Sequence, residues 1–332
     1  MKRILHSAAW LIGFCTLVAI PAVLGPYYTN LFVTFAVFAV FAVSLNMLLS
    51  YTGLFSFGHA MFFGAGGYGT ALALKHISGI ALLPALGAGV LAASALALLL
   101  CPIVVRLTGN AFAMLHLAFA QVTYVMVLKL RGITGGEDGV GNFPIPPLTI
   151  PGVASFPMKD SPQNFYYFAI VILGLSFWLM WYFTKTPFGQ VQLAIRENAK
   201  RVDYLGFKVP QSKAVVYVVS AAFAGVAGSI YAMFHDLVSP DGSLGSLVSF
   251  APIINIMIGG IGNFFGPVLG TLIFQVLEEM IGRFTDQVEL VMGLTMVLVI
   301  IYAPSGVLGM ISTLKQKWFP VADATSTAQK MP

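Results

Sequence analysis

Apolar residues run along this chain in long blocks, without the short alternation of a half-buried sheet. A helix needs about 20 residues to cross the ~30 Å hydrocarbon layer of a membrane. Blocks close to that size cover 8–24, 31–50, 57–74, 80–105, 111–128, 165–183, 214–234 and 288–307. The stretch 251–281 is too long for one straight helix, and Gly259, Gly260, Gly262, Gly266 and Pro267 interrupt it. It divides into two shorter helices, 251–262 and 266–281. The pattern predicts an all-α polytopic membrane protein with about ten transmembrane helices. One transmembrane domain covers 1–318 and a polar tail covers 319–332. Lys2 and Arg3 precede the first block, as in a signal peptide. No small-x-small cleavage site follows before Pro26, so a retained helix is expected.

Composition agrees and charge adds an orientation. Of the 332 residues 58% are hydrophobic and 9% are charged, against about 25% charged in a typical soluble domain. So few charges cannot cover a soluble surface of this size, and disorder is excluded on the same ground. The net charge of +5 comes without a basic cluster interleaved with aromatics, so nucleic acid is not a partner. Basic residues collect on cytoplasmic segments. With the N-terminus inside and ten crossings, all of the 17 Lys and Arg fall inside except Lys75, Lys129, Arg131, Lys159 and Arg283. Merging 251–281 into one span would put Lys315 and Lys317 outside. Both termini are therefore expected in the cytoplasm, with a long outer (periplasmic) loop at 129–164 and a long inner loop at 184–213. Cys15 and Cys101 lie in apolar segments and read as small core residues. No cofactor and no metal site is expected.

The inner loop carries the clearest signal. Thr186 is a good N-cap, Pro187 suits the first helical position and Gly206 is a natural stop. Between them Phe188, Val191, Ile195, Ala199 and Val202 recur at spacings of three and four, one apolar face of a helix. Arg196, Glu197, Lys200 and Arg201 occupy the other side. Such a helix lies in the headgroup layer or docks in a groove of a cytoplasmic partner, and periodicity leaves both open.

Other motifs read more plainly. Gly64-Ala-Gly-Gly-Tyr-Gly69 matches G-x-G-x-x-G, but its flanks are apolar helix and not a strand. Close helix packing replaces the dinucleotide reading. Ala221, Gly225 and Ser229 line one helix face in the same manner. Tyr51–Ala60 places Ser56, His59 and two glycines at a span boundary. Irregular backbone there is tolerated where it is buried in protein or lines a cavity, so Ser56 and His59 are candidate path residues; a satisfied structural histidine is the alternative. His116 and Gln121 sit within a span, as path residues or as interhelical glue. Glu278 and Glu279 end a span on the outside. No span carries a buried acid pair or an Arg series, which weighs against a proton-coupled carrier and a voltage sensor. No phosphate-binding G-x-x-x-x-G-K-[ST] occurs, so any ATPase is another chain. No catalytic group set is present. A self-sufficient secondary transporter or channel stays open, since sodium coupling can use backbone carbonyls.

Four segments together resemble a known family. They are Gly53-Leu-Phe-Ser-Phe-Gly-His-Ala-Met-Phe-Phe-Gly64; Leu117-Ala-Phe-Ala-Gln121 followed by Thr134-Gly-Gly-Glu-Asp-Gly139; Ala194-Ile-Arg-Glu-Asn198 through Leu205-Gly206; and Ile258-Gly-Gly-Ile-Gly262 with Gly266-Pro-Val-Leu-Gly270. In this order they resemble the LivM-type permease subunits of branched-chain amino-acid ABC importers. The resemblance implies a bacterial inner-membrane assembly of two homologous permeases, two cytoplasmic ATP-binding subunits and a periplasmic substrate-binding protein. It turns residues 187–205 into a coupling helix against the ATPase, with Phe188, Gly189, Val191, Ile195, Arg196, Glu197, Asn198 and Gly206 as its candidate contacts. Glu137 and Asp138 become candidates for receiving the binding protein, with a solvated turn as the alternative. His116 departs from the small hydroxyl residue frequent at that position in the family, and relatives handle other amino acids, amides and urea.

Overall fold

A computed structural model describes residue 21, residues 25–150, 154–159 and 161–285, and scattered positions from 287 to 309. The expected first span lies almost wholly outside the described residues, the last span partly so, and the tail entirely so.

Besides a single turn at Arg131–Thr134, the helices among the described residues are α1 (Gly25–Asn46), α2 (Ala60–His76), α3 (Leu82–Val104), α4 (Gly109–Lys129), α5 (Pro162–Lys185), α6 (Pro187–Tyr204), α7 (Val209–His235), α8 (Pro240–Leu244), α9 (Ser246–Gly259) and α10 (Gly266–Gly282). Six described stretches are long and apolar enough to cross a membrane: Gly25–Thr52, α3, α4, α5, α7 and the joined Pro240–Gly259. Helices α2 and α10 have 17 residues each, about 25 Å at ~1.5 Å per residue. The protein is a mostly helical, multi-pass membrane protein.

Local sequence sets several helix starts. A proline occupies the first turn of α5, α6, α7, α8 and α10, where its missing N–H costs nothing. Thr186 and Ser239 accept the N–H of Gly189 and Gly242 at 3.3 and 3.2 Å, capping α6 and α8.

Small residues fix the centre. Helices α2, α3 and α7 cross one another with their backbones nearly touching. A Cβ on Gly66 would strike the Gly225 backbone, and one on Gly228 would strike the Phe63 carbonyl. The Ser229 hydroxyl donates to the Gly225 carbonyl at 2.7 Å and lies 3.1 Å from that of Gly66. The G-x-G-x-x-G segment is thus a helix crossing.

Two spans depart from regular helix. Residues 47–52 continue α1 as a π-helical turn, and Gly53 ends it with φ 71°. Residues 53–59 are irregular before α2 begins at Ala60, three residues later than the apolar block suggests. The stretch 251–281 is broken as expected, but its pieces are 246–259 and 266–282, joined by 260–265. At the other end of the bundle, short antiparallel pairs tie Val140–Gly141 (β1) to Leu237–Val238 (β4), and Leu148–Ile150 (β2) to Ala154–Phe156 (β3).

Candidate functional site

Residues 187–204 form α6, and Ile195 and Val202 on its apolar face are buried against the chain itself. The expected single helix 187–205 is corrected: Asn198 has φ −156° and ψ 90° and breaks it in two. The Asn198 Oδ1 then accepts the Arg201 N–H at 3.0 Å, capping the second piece. A side-chain amide that competes for backbone donors interrupts a helix and begins another. Gly189 is buried against the Thr184 carbonyl, where a Cβ would not fit. Glu197 faces outward. Beyond the second piece, Tyr204 and Leu205 are 87% and 70% exposed, and Gly206 turns the chain with φ 89°.

Arg196 reaches the opposite way. Its Nη1 donates to the Ser50 carbonyl in the π-helical turn at 2.6 Å, and its side chain passes over Gly53 at 3.4 Å from an ideal Cβ. The Ser50 hydroxyl donates to Asn46 Oδ1 at 2.5 Å and accepts the Gly262 N–H at 3.0 Å. Asn46 Nδ2 donates to the Asn263 carbonyl at 3.1 Å. One polar chain therefore runs from α6 through the irregular end of α1 into the break between α9 and α10. Hydrogen bonds to otherwise unpaired backbone groups are what irregular segments at membrane depth require.

Ser56, His59 and His116 lie in a second cluster. His116 Nδ1 is 2.6 Å from Ser56 Oγ and its Nε2 is 2.9 Å from the Tyr217 hydroxyl. His59 Nε2 is 3.0 Å from Ser44 Oγ. Phe41, Phe62 and Phe112 pack against the two imidazoles. All three predicted residues are wholly buried, and none lines a described cavity. Gln121 is apart from them, on the exposed face of α4. Its Nε2 donates to Ser246 Oγ at 2.7 Å, and one turn on the Tyr124 hydroxyl donates to Asp241 at 2.6 Å. Met114, Val122, Val125 and Met126 surround this polar stripe and are exposed. Between α4 and α5, Glu137 and Asp138 form an exposed 3₁₀ turn, with Glu137 3.7 Å from Arg131.

Comparison with known proteins settles the family. The family model described as "Branched-chain amino acid transport system / permease component" matches residues 27–302. The chain belongs to this family. It is 29% identical over 294 residues to the high-affinity branched-chain amino acid transport system permease protein LivM of Escherichia coli K12, covering 82% of this chain and 68% of that protein. The LivM protein of Salmonella typhimurium is 28% identical over 291 residues, with the same coverage. The E. coli permease protein LivH is 28% identical over 123 residues, 36% of this chain and 39% of its own length. No solved structure matches.

For a transport-system permease, sequence reasoning missed Ser50, Asn46, Tyr124, Asp241 and Ser246. Tyr124 was within reach of it, since it stands three residues beyond Gln121 on the same helical face. Ser246 and Asp241 carried no such signal, because they meet α4 only through tertiary packing.

Proposed function

We propose that this chain is the transmembrane permease subunit of an ATP-driven importer that carries branched-chain amino acids from a periplasmic binding protein to the cytoplasm. It works in a bacterial inner membrane, with ten spans and both termini in the cytoplasm, beside a second homologous permease and two ATP-binding subunits. It holds no cofactor and hydrolyses nothing itself. The observation that carries the coupling reading is the Arg196–Ser50 hydrogen bond. It connects a cytoplasmic helix to two places where the described spans are not regular. Closure of the ATPases pushes on α6 through its exposed tip at Tyr204 and Leu205 and through Glu197. Ile195, Val202 and Gly189 seat α6 against the spans, and Arg196 passes the motion to 47–53 and 260–265. The break at Asn198 makes the lever jointed.

The seam with the second permease runs along α4. An exposed apolar helix face suits lipid or another helix, but Gln121 and Tyr124 on it, bonded to Ser246 and Asp241 of the neighbouring helices, suit a water-filled path. His116 is buried in the core between Ser56 and Tyr217. A carrier working without ATP leaves the exposed tip of α6 without a role. The outer-loop carboxylates Glu137 and Asp138 receive the binding protein.

Reconstitution of the permease pair with its ATPases and loaded binding protein tests the reading. Uptake of radiolabelled leucine should require ATP. Equal uptake by the permease pair alone would make it a secondary carrier. Cysteines placed at Ser161 and Gln211 should label from opposite sides of the membrane, and labelling of both from outside rejects the ten-span topology.

A further inference from the structure

A cavity of about 750 Å³ lies at the end of the bundle that carries the short strands. It is lined by the ends of α1, α5, α7 and α10 and by the segment after β3. It is far from the inner loop, and neither the seam along α4 nor the coupling chain uses it. Its size falls in the ordinary range of small-molecule sites, roughly 300–1,000 Å³.

Its charges are unusual for a membrane protein with so few. Lys159 Nζ donates to Asp236 Oδ2 at 2.9 Å, and both side chains remain partly open to solvent, at 46% and 32%. Glu279 contributes a second carboxylate to the same cavity, where the Tyr27 hydroxyl hydrogen-bonds it, and it pairs with Arg283 at 3.1 Å. Asp236 is held by its backbone: it caps the end of α7 in the left-handed region at φ 51°, and its carbonyl accepts the Asn142 N–H at 3.1 Å. Its Oδ1 is buried and has no hydrogen-bond partner among the described residues. A buried carboxylate oxygen without a donor is costly. Lys159 uses one of its three N–H donors on Asp236 and presents the ammonium to the cavity.

A simple anion would meet two carboxylates here, and a simple cation would meet Lys159. A ligand with an ammonium and an acid group a few ångströms apart satisfies both. The remaining walls include Leu31, Met158, Phe165 and Met233, which suit an aliphatic side chain.

We propose that this cavity is a receiving site for a zwitterionic amino acid. Lys159 takes its carboxylate, Asp236 and Glu279 take its ammonium, and the apolar wall takes its side chain. The proposal rests on the importer reading and adds a stop within one permease, before the seam. A phosphatidylethanolamine headgroup offers the same pair of charges, so the test separates the two sources.

The probe is radiolabelled leucine, added to the assembled importer without nucleotide in nanodiscs of phosphatidylglycerol alone. Saturable binding is expected, with valine competing. Leucinol, which lacks the carboxylate, and N-acetyl-leucine, which lacks the ammonium, should each compete at least tenfold more weakly. Lys159→Met and Asp236→Asn should each raise the leucine Kd at least tenfold while the complex stays monodisperse; Asn tolerates the left-handed backbone. Binding unchanged in both variants, or competition by leucinol and N-acetyl-leucine equal to that by valine, overturns the proposal. So does loss of leucine binding when phosphatidylethanolamine is included, which assigns the cavity to lipid. The wild-type importer is assayed in parallel for ATP-driven leucine uptake. Uptake without nanodisc binding sinks the cavity and leaves the importer reading standing, whereas absence of uptake sinks the importer reading.

Discussion

The crossing of α2, α3 and α7 and the junction of 47–59 with 260–265 use glycine and serine for opposite ends. At the crossing, Gly66, Gly225 and Gly228 sit inside regular helices and remove side chains so that backbones can touch. Dispersion between close backbones drives membrane helices together where no hydrophobic gradient exists. At the junction, Gly53, Gly260 and Gly262 adopt positive φ; the first two end helices and the third turns the connection between α9 and α10. The carbonyls and amides freed there are bonded by Asn46, Ser50 and Arg196. One region is satisfied within each helix and resists change. The other is held by a few side-chain hydrogen bonds, each exchangeable for another at modest cost. On the coupling reading proposed above, the crossing is the frame of the permease and the junction is its moving part.

The largest effect should come from the frame. Gly228→Leu forces a side chain into the Phe63 carbonyl, an overpacking at or beyond the ~3 kcal/mol top of the usual range. Loss of the monodisperse peak in size-exclusion chromatography is expected, and a well-folded variant would break the comparison. Ile195→Asp should come next. It puts an unpaired carboxylate where Ile195 is 3% exposed, costing several kcal/mol at the seat of α6. The spans insert through their apolar blocks, so the expected product is an inserted permease that loses its ATPase on purification, or keeps it without transport. Normal assembly and transport would return α6 to the headgroup layer.

Arg196→Met should act on the junction alone. Assembly and ATP hydrolysis should persist while transport per ATP falls about tenfold, within the usual range of coupling energies. Ser50→Ala should do the same more weakly, because it removes the contact to Gly262 and leaves the carbonyl that Arg196 reaches. Transport per ATP unchanged in both would separate α6 from the junction. The smallest effect is expected for Glu137→Lys with Asp138→Lys. The turn is exposed, so only a few-fold drop in stimulation of ATP hydrolysis by loaded binding protein is expected, vanishing at high salt.

The six described spans were legible because each apolar block must satisfy its backbone internally, and only helix does so along a single segment. The start of α6 was legible because Thr186 and Pro187 act locally. Its break at Asn198 was not: the apolar spacing continues through it, and a side-chain cap overrides periodicity without changing it. The candidate path residues show the same limit. Ser56 and His116 share a hydrogen bond across 60 positions, whereas Gln121, five residues beyond His116, turns to the other side of the same helix. A list of polar residues in spans cannot say which face each one takes.

By itself the sequence determined the class of protein, the sites of most helices and breaks, the family, and the one polar amphipathic helix among apolar ones. These follow from hydrophobicity, proline, glycine and capping, which act over one or two turns of chain. Tertiary structure alone decided that Arg196 turns inward to Ser50 while Glu197 turns outward, and that Lys159, Asp236 and Glu279 share one cavity. Those pairings join positions tens to hundreds of residues apart, and their energy exists only once the packing of the helices has brought the partners within hydrogen-bond reach.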